Sequence, residues 1–261
     1  MNYTVGGGGQ TERFRDFPTP RRTCCYMPRL SRVVATGIPH HITQRGNAQR
    51  PVFEDDTDRL VYLRLLGLNC ESYDLAIVGY CLMPNHVHLV AIPGRDDSMK
   101  LALRHTHGRY ATYLNGRQGA TGHVWQGRFY SCPLDANHFW AALRYTEMNP
   151  VRAGMVADPA VYCWSSAASH CGRAGRSVPL HLTQKVWRDC WSARSWRDFL
   201  DASSAAEETL AIRTKTHSGR PLGTADFVDS LERTLRRTLA PERGGRPRKQ
   251  VADAIQPVLA V

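Results

Sequence analysis

Apolar and polar residues alternate along Ile38–Gln44 (IPHHITQ), and β-branched residues cluster there, so a first strand is predicted. The polar, glycine-containing Gln44–Asn47 (QRGN) reads as a turn. Across Asp55–Glu71 the period changes: Leu60, Leu63, Leu66 and Leu68 follow acidic residues at helical spacing, which predicts a helix. Two apolar runs, Ile77–Leu82 and His86–Ile92, flank Pro84-Asn85 and read as a hairpin. Pro93–Ser98 is a loop, and Met99–Asn115 a second helix that carries Arg104, His105, His107 and Arg109. The aromatic, basic His123–Cys132 predicts another strand. Asp135–Met148 predicts a third helix, with Asp135 as N-cap and Pro150 as its stop. The order β-α-β-β-α-β and a further helix predicts an α+β, ferredoxin-like fold, an antiparallel sheet with helices packed on one face.

The flanks read differently. Residues 1–26 contain four consecutive glycines, Gly6–Gly9, and no periodicity, and are expected to be disordered. Met27 offers an alternative start, which would make 1–26 an extension from a mis-called start codon. Residues 27–165 form the expected domain, and 166–210 an expected helical extension without a readable motif. Residues 211–261 form a basic C-terminal region: between 211 and 250, ten Lys and Arg face four acids. No internal repeat is visible.

Charge narrows the choice of partner. The chain of 261 residues carries 34 Lys and Arg against 23 Asp and Glu, a net +11, which points to a polyanion, nucleic acid first. Its eight cysteines include no CxxC pair and follow no signal peptide, so free thiols in a reducing cytoplasm are expected. Cys163, His170 and Cys171 match no common zinc spacing. No apolar run is long enough to span a membrane.

The candidate chemistry lies in Tyr80–Val90 (YCLMPNHVHLV). On a strand His86 and His88 share one face, about 7 Å apart at the backbone, while Val87 points to the other face. Two such imidazoles can converge on a divalent metal; two surface histidines on an amphipathic strand would give the same pattern. His40 and His41 point to opposite faces, cannot both face one metal, and are expected to face DNA or to be structural. On the third helix Tyr145 and Asn149 are one turn apart and share a face, whereas Glu147 points away. A metal at the histidines would polarise a phosphate, Tyr145 would attack it, and Asn149 would offer a neutral oxygen as third ligand. Mixed nitrogen and oxygen ligands suit Mg²⁺ or Mn²⁺. A core tyrosine and a helix-stopping asparagine fit the same positions, and Tyr110, Tyr113 and Tyr130 are rival nucleophiles.

Several motifs occur in one order: MPRLSR at Met27–Arg32, HHITQRGN at His40–Asn47, LMPNHVHLV around His86–His88, WQGRF at Trp125–Phe129 and LRYTEMNPVRAG at Leu143–Gly154. Together they resemble the single-tyrosine HUH transposases, and within these the REP-associated tyrosine transposases related to the IS200/IS605 enzymes. The resemblance covers about residues 27–165. It implies the HUH nuclease fold, His86 and His88 as metal ligands, Tyr145 as nucleophile and Asn149 as third ligand, where the insertion-sequence relatives use glutamine. It further implies nicking and rejoining of single-stranded, REP-like hairpin DNA through a 5′-phosphotyrosine, by a monomer or a homodimer. A catalytically inactive hairpin-binding protein of the same fold is the alternative.

Two further groups are candidates for DNA contact. Trp125 could stack on an unpaired base and Arg128 could clamp a phosphate, although Trp125 could equally pack the sheet against a helix. RGGRPRK, with Arg243, Arg246, Arg248 and Lys249, resembles an AT-hook core suited to a narrow minor groove; a solvated basic tail has the same composition.

Overall fold

A computed structural model of the chain describes residues 32–174, 180, 182–202 and 205–239. The expectations for 1–26, for a start at Met27 and for Arg243, Arg246, Arg248 and Lys249 lie outside these residues. Four strands, β1 (His40–Arg45), β2 (Leu75–Met83), β3 (His86–Pro93) and β4 (Tyr130–Pro133), form one antiparallel sheet in the order β2-β3-β1-β4. Helix α1 (Asp56–Ser72) connects β1 to β2, and α2 (Ser98–Gln118) connects β3 to β4. This is the expected ferredoxin-like order. The caps follow the sequence: Asp55 accepts from the backbone N–H of Asp58, and Asp135 from that of His138 at the start of α3 (Ala136–Glu147).

Alternation fixes what each face of the sheet buries. Ile42, Val87 and Leu89 point to the side where Tyr62 and Leu66 of α1 and Leu103 and Tyr110 of α2 pack. Val78, Val90 and Cys132 point to the other side, against Phe139 and Leu143 of α3. The expectation of helices on one face therefore holds for α1 and α2 alone, because α3 covers the opposite face. Behind α3 follow α4 (Asn149–Arg152), α5 (Ala167–His170), α6 (Lys185–Arg188), α7 (Ala193–Asp201), α8 (Ala206–Ser218) and α9 (Ala225–Leu235). Trp196 of α7 and Ile212 of α8 complete this second core, and α8 packs on β4. Part of the basic C-terminal region is thus built into the domain.

Two local expectations change. His123–Cys132 is a strand only from Tyr130; before that a single bridge joins Trp125 to Gly46, and the chain turns at Gly122, whose φ of 101° suits glycine. Pro150 does not end all helical structure: α3 ends at Glu147, and Pro150 sits in the first turn of α4, where its missing N–H costs nothing.

Candidate active site

The register of the sheet sets the site. Thr43 of β1 lies opposite His88 and Arg45 opposite His86, so these four residues share the face that α3 covers. The His86 and His88 rings lie 5.0 Å apart between centroids. Asn85 Nδ2 donates to the Gln49 carbonyl at 3.1 Å, which turns Asn85 Oδ1 toward His86 Nδ1, 2.6 Å away. His86 therefore carries its proton on Nδ1 and has its lone pair on Nε2. His88 Nδ1 lies 3.0 Å from His41 Nε2, so its Nε2 is likewise the atom left for a ligand. Burial, with Arg45 nearby, pushes the His86 imidazolium down to about 4. Burial, reinforced by His41 and His86, holds His88 well below its usual range. Both rings are neutral at pH 7, the form that binds metal.

Helix α3 presents Tyr145, 7% exposed, with its ring centroid 5.6 Å from those of both His88 and His41. Asn149 is placed by the break after α3. The carbonyl of Thr146 would accept from residue 150, but Pro150 has no N–H. The Asn149 amide takes that place, donating to Thr146 O at 3.3 Å and to Tyr145 O at 3.2 Å, which leaves Oδ1 as its outward atom. Glu147 points the opposite way, as expected, and accepts from Ser166, from His170 at 2.6 Å and from Trp196 at 2.9 Å.

These residues line a cleft of about 500 Å³. Arg45, Arg152 and Arg213 also line it, and none of its lining residues is acidic, so it suits an anion. Four of its members escape a reading of the sequence. The Arg152 guanidinium lies 4.0 Å over the Tyr145 ring and donates to the Tyr145 carbonyl. Arg213 Nε donates to the Tyr145 hydroxyl at 3.1 Å. His41 joins His88 to Thr216, whose Oγ1 lies 2.8 Å from His41 Nδ1, and burial lowers the His41 pKa to about 3. Alternation does put His41 on the site face, but only the strand register brings it beside His88. No local signal marks Arg213 or Thr216, which lie on α8.

Residues 35–149 match the family described as transposase, IS200-like. This segment is thus similar to IS200-like transposases. A Haemophilus influenzae protein named as a REP-associated tyrosine transposase is 27% identical over 133 residues, covering 45% of this chain and 69% of that protein. Two solved structures are also similar to this chain. One, a REP-associated tyrosine transposase bound to a REP hairpin, is 18% identical over 59% of this chain and 92% of that one, with a TM-score of 0.48. Another, a Deinococcus radiodurans R1 protein named as a transposase, is 15% identical over 48% of this chain and 96% of that one, with a TM-score of 0.33.

Within the matched segment the other candidates are sorted by burial. Trp125 is in the core: its indole donates to the His107 carbonyl at 3.0 Å, and His107, Tyr62 and Tyr110 surround its ring. The expectation that it stacks on a base is corrected in favour of packing. Arg128 is exposed, beside Arg32. Tyr110 is buried and donates to the Val52 carbonyl, and Tyr113 donates to Asp58. Tyr130 is 41% exposed and does line the cleft, against His217. Among the described residues no three His, Cys, Asp or Glu gather as a metal cluster. Two imidazoles with free Nε2 atoms and one oriented amide oxygen could hold an Mg²⁺- or Mn²⁺-type ion, to which such mixed nitrogen and oxygen donors are suited. No described helix is long and apolar enough to cross a membrane, and the six described cysteines are free.

Proposed function

We propose that this chain nicks and rejoins single-stranded DNA next to a hairpin, with Tyr145 as nucleophile and a divalent metal held by His86, His88 and Asn149. One observation carries the reading: Tyr145, the two neutral histidines and the Asn149 amide open on one basic cleft free of acids. The metal, Mg²⁺ or Mn²⁺, would supply charge neutralisation at the phosphate. The chain's residues do the rest. Arg45 and Arg152 attract and hold the phosphate, and exposed Arg128 adds a contact to the flanking strand. The Tyr145 oxygen attacks phosphorus, the bond from phosphorus to the 3′ oxygen breaks, and that oxygen ends as a hydroxyl while DNA stays on Tyr145 as a 5′-phosphotyrosine. Attack by another 3′-hydroxyl reverses these steps, and the conserved bond energy makes ATP unnecessary.

The test uses the full chain, Mn²⁺ and a labelled pool of hairpin oligonucleotides with randomised single-stranded flanks. A labelled band that survives denaturation, and is absent with EDTA or in His86→Ala and His88→Ala, is the expected result. Hairpin binding without any such band would make the chain a non-catalytic binding protein of the same fold. A full adduct yield in EDTA would remove the metal.

A further inference from the structure

Arg213 and Thr216 lie three residues apart on α8 and so share one of its faces. That face closes on the cleft from outside residues 35–149, the part that carries the family match. It reaches the site at two points. Thr216 bonds to His41, which in turn bonds to His88. Arg213 bonds to the oxygen of Tyr145 itself. The rest of Arg213 is exposed, so this contact is not a by-product of core packing.

The charge around Tyr145 gives the contact its meaning. Two guanidiniums, those of Arg152 and Arg213, lie against one phenol, and among the described residues neither forms an ion pair with a carboxylate. Like charges side by side repel, and a negative charge on the phenol oxygen relieves that repulsion. A guanidinium keeps its protons, so Arg213 acts as a fixed donor and does not shuttle a proton.

We propose that Arg213 is a catalytic residue: its Nε–H holds the Tyr145 oxygen and stabilises the negative charge that this oxygen carries while its bond to phosphorus forms or breaks. The proposal rests on Tyr145 being the nucleophile. In the forward step the oxygen–phosphorus bond forms, the bond to the 3′ oxygen breaks, and the phenol proton ends on that 3′ oxygen. In rejoining, a 3′-hydroxyl attacks, the Tyr145 oxygen leaves with the bonding electron pair, and the proton returns to it. Arg213 donates to the same oxygen in both directions, so both should slow together when it is lost.

The experiment uses the full chain with Mn²⁺ and a hairpin oligonucleotide picked from the randomised pool by adduct formation with the wild type. Adduct formation is followed in a single turnover at saturating DNA, and rejoining by adding a strand with a free 3′-hydroxyl to the purified adduct. Arg213→Gln should slow both by roughly 100-fold, the usual loss for one donor to a developing oxyanion. The half-saturating DNA concentration should stay the same. Arg213→Lys should recover only part of the rate, since an ammonium cannot reproduce the Nε geometry. In the DNA-free protein, the ¹⁵N–¹H signal that Arg213→Gln removes should shift in Tyr145→Phe.

Other results overturn the proposal. Unchanged saturating rates, with weaker binding and a salt slope shallower by about one, would make Arg213 a phosphate contact. Faster adduct formation would make α8 a brake. An Arg213 signal unmoved by Tyr145→Phe would remove the hydrogen bond. If the wild type picks no oligonucleotide, both the nucleophile reading and this proposal fall; if it does and the variants match it, only the proposal falls.

Discussion

His41 Nε2 lies 3.0 Å from His88 Nδ1, with the two ring centroids 5.2 Å apart and the ring planes inclined by 16°. If His88 binds metal through Nε2, its Nδ1 bears the proton and donates it to His41, whose own Nδ1–H donates to Thr216. A partner of this kind orients a ligand and raises its basicity. His41→Ala should therefore weaken Mn²⁺ binding by roughly 10- to 100-fold, and Thr216→Val should weaken it less. Calorimetric titration with Mn²⁺ checks this without DNA. Unchanged affinity in His41→Ala would reduce His41 to a packing residue.

Glu147 ties α3 to the C-terminal half of the domain. Its fully buried carboxylate accepts from Ser166, His170 and Trp196, donors on or beside α5 and α7. Glu147→Ala leaves these donors without an acceptor and should cost about 3–5 kcal/mol, as breaking buried pairs does. Urea unfolding measures it. A loss below about 1 kcal/mol would mean that the donors find other partners.

His107 should make the fold sensitive to acid. Burial beside Tyr62 and Trp125 lowers its pKa to about 3, from an ordinary value of 6.5. Above 6.5 neither the folded nor the unfolded chain protonates it. Below 6.5 the unfolded chain takes up a proton that the folded one refuses, so stability is lost as the pH falls from 6.5 toward 3, by roughly 1.4 kcal/mol per pH unit. His40, lowered by burial to about 4, adds the same sign over a narrower range. Urea unfolding at pH 7 and pH 5 should show wild-type stability dropping, and His107→Gln should drop less. Equal drops would show that His107 is protonated inside the fold.

How much of this was legible follows from the range of each interaction. Period-two alternation was enough to put His86 and His88 on one face, and one helical turn was enough to pair Tyr145 with Asn149. The Asp55 and Asp135 caps are local, and they were readable too. The segment before Tyr130 misled because its aromatic residues suit a strand, whereas Trp125 turns inward to cover α2 and leaves a single bridge. Arg213 was unreadable for a different reason. It meets Tyr145 across 68 positions, and nothing in the sequence of α8 says which of its cations faces the site. Trp196 likewise meets Glu147 only once the chain has folded back across α3.

The most direct test of the account is to find which residue carries the DNA. The wild-type adduct with the selected hairpin oligonucleotide is digested with nuclease and protease, and the nucleotide-bearing peptide is sequenced by mass spectrometry. Tyr145→Phe removes one oxygen, should fold and bind hairpin DNA normally, and should form no adduct. The account predicts the nucleotide on Tyr145 alone. A nucleotide on Tyr130, the other tyrosine in the cleft, or an adduct that persists in Tyr145→Phe, would contradict it.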